Sequence, residues 1–429
     1  MKKRIFAMIL AGILAVSMLS GCGGSDSSGS KKLKGKEIEM EIGWTDEPLN
    51  QFKTLVIEPF EKETGVKINL IAPGADYETV MKTRMGSGDL PDIWETHGWS
   101  LQRYSEFLLP LSKYSDIKDS MQDSAFGVIQ NDEGEFYGAC VTASLAGVMF
   151  NYDTLEKCGI DPYDLNRMDK FEEALQIAKD NGFIPLYIGA NDTSNAAGFL
   201  NVVFPSLQTD VGCANNQVKA LLDGSYDWET DGKQPFELLA KWMNNGWINE
   251  NALTATTEEM QTALGKGECA FICRGINNIT MARNYVPDCR VGILPNPNSG
   301  TGAPTYKVGE GTCFGVWKDT KVLDACLAWI RYVCTPEVCA IIADIGGTTP
   351  SIKDTKLEGS YAYDEYLKTA AALPAVAYDN IFDRKYFPSG MWGTMGDAAC
   401  YVLDDPSEAG IEKAKEAMKE QYLLLMNGD

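Results

Sequence analysis

An α/β fold, with a parallel sheet covered by helices on both faces, is predicted from three features near the start of the chain. Apolar residues alternate with glutamates over 37–44, and a helical apolar spacing follows over 50–64. Alternation then returns over 66–70, before a further helix and a further strand. Strand, helix, strand, helix, strand in succession is the pattern of crossover-connected, parallel strands.

Each element has its own justification. Ile38, Met40, Ile42 and Trp44 alternate with Glu37, Glu39 and Glu41, a period of two that gives a strand one apolar face. From Asn50 to Thr64, Phe52, Ile57 and Phe60 point inward, Pro59 interrupts the run and Gly65 stops it. Val66, Ile68 and Leu70 form the second strand, and Asp76 can cap a helix that carries Tyr77, Val80, Met81 and Arg84. Gly88-Asp89-Leu90-Pro91 then turns into a short strand, Asp92-Ile93-Trp94. Farther on, 171–181, 235–245, 257–264, 322–333 and 408–426 carry helical spacing. Strands are expected at 184–188, 270–273, 290–294 and 313–317.

The segment ahead of the first strand is of another kind. Lys2, Lys3 and Arg4 precede an apolar run from Ile5 to Met18, followed by Leu19-Ser20-Gly21-Cys22. That layout is an export signal, too short for a span of ~20 residues. Leu-Ser-Gly-Cys resembles the bacterial lipobox, which implies that residues 1–21 are a signal peptide and that Cys22 is lipidated. An uncleaved anchor helix is the alternative. Residues 22–36, rich in Gly and Ser and then Lys, read as a flexible leash. Either way the body is expected at the extracytoplasmic face of the cell membrane, tethered rather than threaded.

Composition narrows the functions. Sixty Asp and Glu against 38 Lys and Arg give a formal net charge of −22. Such a surface repels nucleic acid and anionic headgroups. Besides Cys22 there are eleven cysteines, an odd number that cannot all pair within the chain. Most read as small core hydrophobes, and this many free thiols suggests a reducing habitat. No Gly-x-Ser-x-Gly elbow occurs, and the single histidine, His97, has no evident nucleophile beside it. Gly309-Glu310-Gly311-Thr312 fails as a phosphate loop because a strand follows where a helix is required. No metal or cofactor is expected.

Ordered landmarks carry a resemblance. Pro59-Phe60-Glu61-Lys62-Glu63-Thr64-Gly65-Val66, Gly86-Ser87-Gly88-Asp89-Leu90-Pro91-Asp92-Ile93 and Gly134-Glu135-Phe136-Tyr137-Gly138 come first. Val148 to Asp153, Gly267 to Ile272, Val291 to Pro295, Ala328 to Tyr332 and Gly346 to Pro350 follow in order. From residue 37 almost to its end the chain is similar to the family 1 extracellular solute-binding proteins, relatives of the maltose-binding protein that feed ABC importers.

The resemblance implies a monomeric, two-lobed receptor whose cleft closes on a solute. Its first lobe would comprise 37–144 and 290–335, its second 145–289 and 336–429, with crossings near Ser144, Arg290 and Thr335. Open α/β sheets bind ligands beyond the carboxyl ends of their strands, which here lead to Trp44-Thr45-Asp46-Glu47 and Thr96-His97-Gly98-Trp99. Aromatic rings suit the C–H faces of a sugar, and carboxylates, amides and guanidinium groups suit its hydroxyls. Trp44 is a candidate from its place at the strand end, and, carried over by position, Asp46, Glu47, His97 and Trp99 supply the first lobe's contacts. Thr142 and Ser144 fall at the interlobe contact, Asn191 and Asp192 in a second-lobe loop, and Trp392 matches a stacking tryptophan. Asn277 stands where many relatives have tryptophan, and Glu310 completes the candidate set. The function implied is a carbohydrate receptor delivering its ligand to an ABC permease, performing no chemistry. A polyamine receptor and an exported lipid-anchored glycosidase are the alternatives.

Overall fold

The computed structural model describes residues 33–97, 104–131, 133–373, 376–380, 382–388 and 390–426. Cys22, the expected lipidation site, the expected leash up to residue 32, and Trp99 lie outside these residues. The opening alternation builds β1 (Glu37–Glu41), which buries Ile38 and Met40 completely. The helix expected from Asn50 begins at Asp46 instead. It runs from Asp46–Phe52 through a wide π-type turn, Lys53–Ile57, into Glu58–Thr64. The wide turn lies directly ahead of Pro59, whose missing N–H cannot close the regular ladder. Gly65 ends the run in left-handed backbone, φ 72°, and donates its N–H to the Glu61 carbonyl.

β2 (Lys67–Ile71), the helix Tyr77–Ser87 and β3 (Ile93–Glu95) follow. Asp76 precedes that helix, but its side chain makes no capping bond. β4 (Ala139–Cys140) leads into the ten-residue β5 (Thr142–Asn151). Then come β6 (Ile184–Leu186), β7 (Cys269–Gly275), β8 (Val291–Leu294) and β9 (Thr305–Glu310). β10 (Cys313–Val316), β11 (Thr349–Pro350) and β12 (Ala377–Asn380) complete the strands among the described residues.

Two sheets result. The first has the order β2-β1-β3-β10-β4. β1 is parallel to both its neighbours, as the alternation with helices predicts, whereas β10 runs antiparallel to β3 and β4. The second has the order β12-β9-β5-β7-β6, with β8 and β11 also on β5. It too is mixed: β6 and β12 lie parallel to their partners, and every strand on β5 is antiparallel to it. The antiparallel pairs arise because strands cross from one sheet to the other and return, which no local crossover helix governs.

The crossings define the two lobes and differ from those expected. The first, where β4 passes into β5, lies close to the expected Ser144. No return occurs at Arg290, because β8 and β9 both pair with β5 in the second sheet. The chain re-enters the first sheet only at β10, through Gly311 and Thr312. Nor does it leave at Thr335: Val338, Cys339 and Ile342 of the helix Pro336–Gly346 lie in the core built on β1, as does Ile352. Tyr361 and Ala362 already belong to the second lobe's packing. An apolar helical stripe announces that a face will be buried but not in which core, so the residues themselves could not correct the boundaries that the resemblance implied.

In the first core, Phe60 meets Trp329 edge-on at 5.1 Å, and Trp329 in turn lies 5.9 Å from Phe314 of β10. In the second, Trp242 packs between Phe171 and Phe199. Both tryptophans are fully buried, in keeping with their helical spacing. The eleven cysteines in the described residues are all free, and eight are buried. Burial pushes the thiols of Cys273, Cys326 and Cys334 up to about 12. Among the described residues no single helix is long and apolar enough to cross a membrane.

Candidate functional site

β1 and β3 run side by side in the same direction, so the segments leaving their carboxyl ends emerge together. Trp44, two residues beyond Ile42, is half-buried, with its ring 5.0 Å from that of Phe52. Its indole N–H donates to Glu95 Oε1 at 3.2 Å, and the Gly43 N–H donates to Glu95 Oε2 at 3.1 Å. The Tyr77 hydroxyl donates to the Glu95 carbonyl oxygen. Glu95 is 8% exposed, and burial raises its carboxyl above the usual range although the two N–H bonds oppose the shift.

His97 stands between two carboxylates: its Nε2 is 3.6 Å from Glu78 Oε1 and its Nδ1 is 3.8 Å from Glu310 Oε1. Glu78 also accepts from the Tyr104 hydroxyl at 3.0 Å. Glu310 is the last residue of β9, so the site joins first-lobe strand ends to a strand of the second sheet at the point of crossing. A ring, an imidazole and buried carboxylates gathered here provide one apolar surface and several acceptors, the chemistry that hydroxyl-rich ligands require.

Asp46 and Glu47 do not hang in a loop beyond β1. Both are exposed in the first turn of the helix Asp46–Phe52, with Asp46 in left-handed backbone, φ 52°, and Glu47 accepting from Gln51 Nε2 at 2.9 Å. Thr142 serves the backbone where the chain crosses. It is completely buried, and its hydroxyl oxygen accepts the Thr312 N–H at 2.8 Å, pinning two crossing segments together. Ser144, half-buried on β5, lies opposite Gly309.

In the second lobe, Asn191 and Asp192 are exposed just ahead of the helix Thr193–Gln208, and Asp192 is its N-cap, accepting from the Ser194 N–H at 3.0 Å. Arg274 reaches the same turn, donating from Nη1 to the Ser194 carbonyl at 2.8 Å, and burial lowers its pKa. Trp392 is in the first turn of the helix Met391–Asp404, partly buried against the second core. That helix meets the first turn of Thr193–Gln208 at Gly396, where a Cβ would sit 2.5 Å from the Thr193 carbonyl oxygen. Asn277 begins the helix Asn277–Tyr285 and is exposed.

Trp44, His97 and Glu310 are thus brought together, and Asp192 and Trp392 belong to a second group. Glu95, Glu78 and Arg274 were missed. The only sequence signal for Glu95 and Arg274 is a charged residue closing an apolar strand.

Comparison with known proteins places these observations in context. The family profile of bacterial extracellular solute-binding proteins matches residues 56–375. The melibiose/raffinose/stachyose-binding protein MelE of Bacillus subtilis is 29% identical over 401 residues, covering 92% of this chain and 90% of MelE. Among solved structures, a Bacillus subtilis binding protein in an open conformation superposes with a TM-score of 0.81 at 25% identity, over 92% of this chain and 98% of that one. A Bacillus licheniformis sugar transporter protein in complex with stachyose gives 0.77 at 26% identity, over 91% and 100%.

Proposed function

Because this chain belongs to the bacterial extracellular solute-binding proteins, we propose that it captures a carbohydrate outside the cytoplasm and hands it to an ABC-type permease. The observation that carries the reading is the joining of Trp44, Glu95, His97 and Glu310 where the two sheets exchange strands. MelE, similar along nearly the whole chain, and the stachyose-bound relative point to a short oligosaccharide of the melibiose, raffinose or stachyose kind. The protein performs no chemistry of its own. It acts as a monomer whose lobes hinge shut, the ligand stabilising the closed state through contacts from both sides. Cys22, after Leu19-Ser20-Gly21, carries the lipid that keeps the receptor beside its permease.

A thermal-shift panel tests the reading. Ligand at a hundredfold excess over its Kd adds about 2.7 kcal/mol to the native state, so the melting temperature rises by several degrees. Melibiose, raffinose or stachyose should give that rise. A rise with spermidine alone, or release of sugar from a polysaccharide, would replace the proposal with a polyamine receptor or a glycosidase. Intact mass of protein from the native host should show a diacylated Cys22 at the mature terminus, and an unmodified Cys22 there removes the anchor.

A further inference from the structure

Glu95 is a buried carboxylate with no Lys or Arg paired to it among the described residues. Burying an uncompensated charge is costly, and packing alone would favour an apolar side chain here. Both of its oxygens are committed to consecutive residues of one segment: Oε2 to the Gly43 N–H and Oε1 to the Trp44 indole N–H. Glu95 is itself held from behind. Its carbonyl accepts the Tyr77 hydroxyl, it lies opposite Phe314 in the β3–β10 pair, and a Cβ on Gly43 would touch the Tyr77 ring at 3.4 Å. The carboxylate therefore couples the direction of β3 to the rotation of one half-buried indole beyond β1.

We infer that Glu95 is a positioning residue of the carbohydrate site, acting through Trp44. It fixes the indole by its N–H edge, so that the half-exposed ring presents a constant surface to a sugar instead of turning about its side-chain bonds. A ring free to rotate must lose that freedom on binding, and a ring already held does not. This rests on the receptor reading, because only a ligand that packs on Trp44 benefits from a fixed ring. Glu95 itself touches no ligand in this account.

The test is a double-mutant cycle read by calorimetric titration with raffinose, together with the indole N–H resonances of protein labelled with 15N-tryptophan. Glu95→Ala should weaken raffinose binding at least tenfold. Glu95→Gln, which keeps a carbonyl acceptor for the indole, should stay within about threefold of the native protein. In a Trp44→Phe background, which has no indole N–H, Glu95→Ala should add less than threefold, because contacts acting through one shared partner are not additive. The Trp44 resonance, identified by its loss in Trp44→Phe, should move in Glu95→Ala and hold near its place in Glu95→Gln. Equal losses on both backgrounds would overturn the inference, as would an unmoved Trp44 resonance in folded Glu95→Ala. If the native protein binds neither raffinose, stachyose nor melibiose, the receptor reading falls while the resonance still decides whether Glu95 holds the ring.

Discussion

Trp392 divides its ring between the second core and the surface, and one substitution separates the two loads. Deleting a fully buried tryptophan costs ~3–5 kcal/mol. With the ring only partly buried, Trp392→Ala should cost about 2–3 kcal/mol in urea unfolding, at the low end of the same mechanism. A stacking contact predicts, in addition, a roughly 30-fold loss of sugar affinity in the folded fraction. Unchanged affinity would assign the residue to packing alone. Glu95 makes a pH prediction whose sign is opposite to the usual carboxylate. Its pKa is raised in the folded state, so its contribution to stability is fully present below the unfolded pKa and is lost as pH rises through the folded one. Glu95→Gln lacks this titration. The stability of the variant relative to the native protein should therefore decline as pH falls from neutral through the raised carboxyl range. A difference independent of pH, in urea titrations at several pH values, would contradict the burial argument.

At the scale of elements, the strands with a clean alternation and the long amphipathic helices were legible, and Glu408–Met426 begins and ends where its spacing predicts. The helix Thr193–Gln208 was not, because it is buried nearly all round and carries no polar face to reveal a period. β5 was missed as a ten-residue strand for a related reason: it is flanked on both edges, and its residues are apolar or small throughout. Of the site, the strand ends at Trp44 and His97 were legible from the rule for α/β sheets. Glu95 and Glu78 were not, because their roles depend on which strands become neighbours. The backbone role of Thr142 was not legible either, since a hydroxyl at a crossing can serve the backbone as readily as a ligand. The end of the helix Pro336–Gly346 offers an element-scale test. Gly347 caps it at φ 58°, and a Cβ there would lie 2.9 Å from the Thr280 hydroxyl oxygen on the second-lobe helix Asn277–Tyr285. Gly347→Ala should cost roughly 1–2 kcal/mol from the left-handed backbone alone. A melting temperature equal to that of the native protein would show that the cap is relaxed.

For the molecule as a whole, three strand-like segments join the lobes: Val141 accepts from Ser351, and Thr142 binds both Gly311 and Thr312. Segments tied side by side by backbone hydrogen bonds bend together, so the lobes are expected to move as two bodies about one narrow band rather than to loosen independently. A formal charge of −22 sets copies of the chain against one another by like-charge repulsion. In the proposed reading, the acidic site would serve a neutral, hydroxyl-rich ligand by accepting hydrogen bonds instead of pairing charges. Small-angle X-ray scattering, with and without a sugar already proved to bind, tests this account most directly. A fall in the radius of gyration at saturation is the predicted result, and an unchanged radius at full occupancy would contradict a receptor that closes on its ligand.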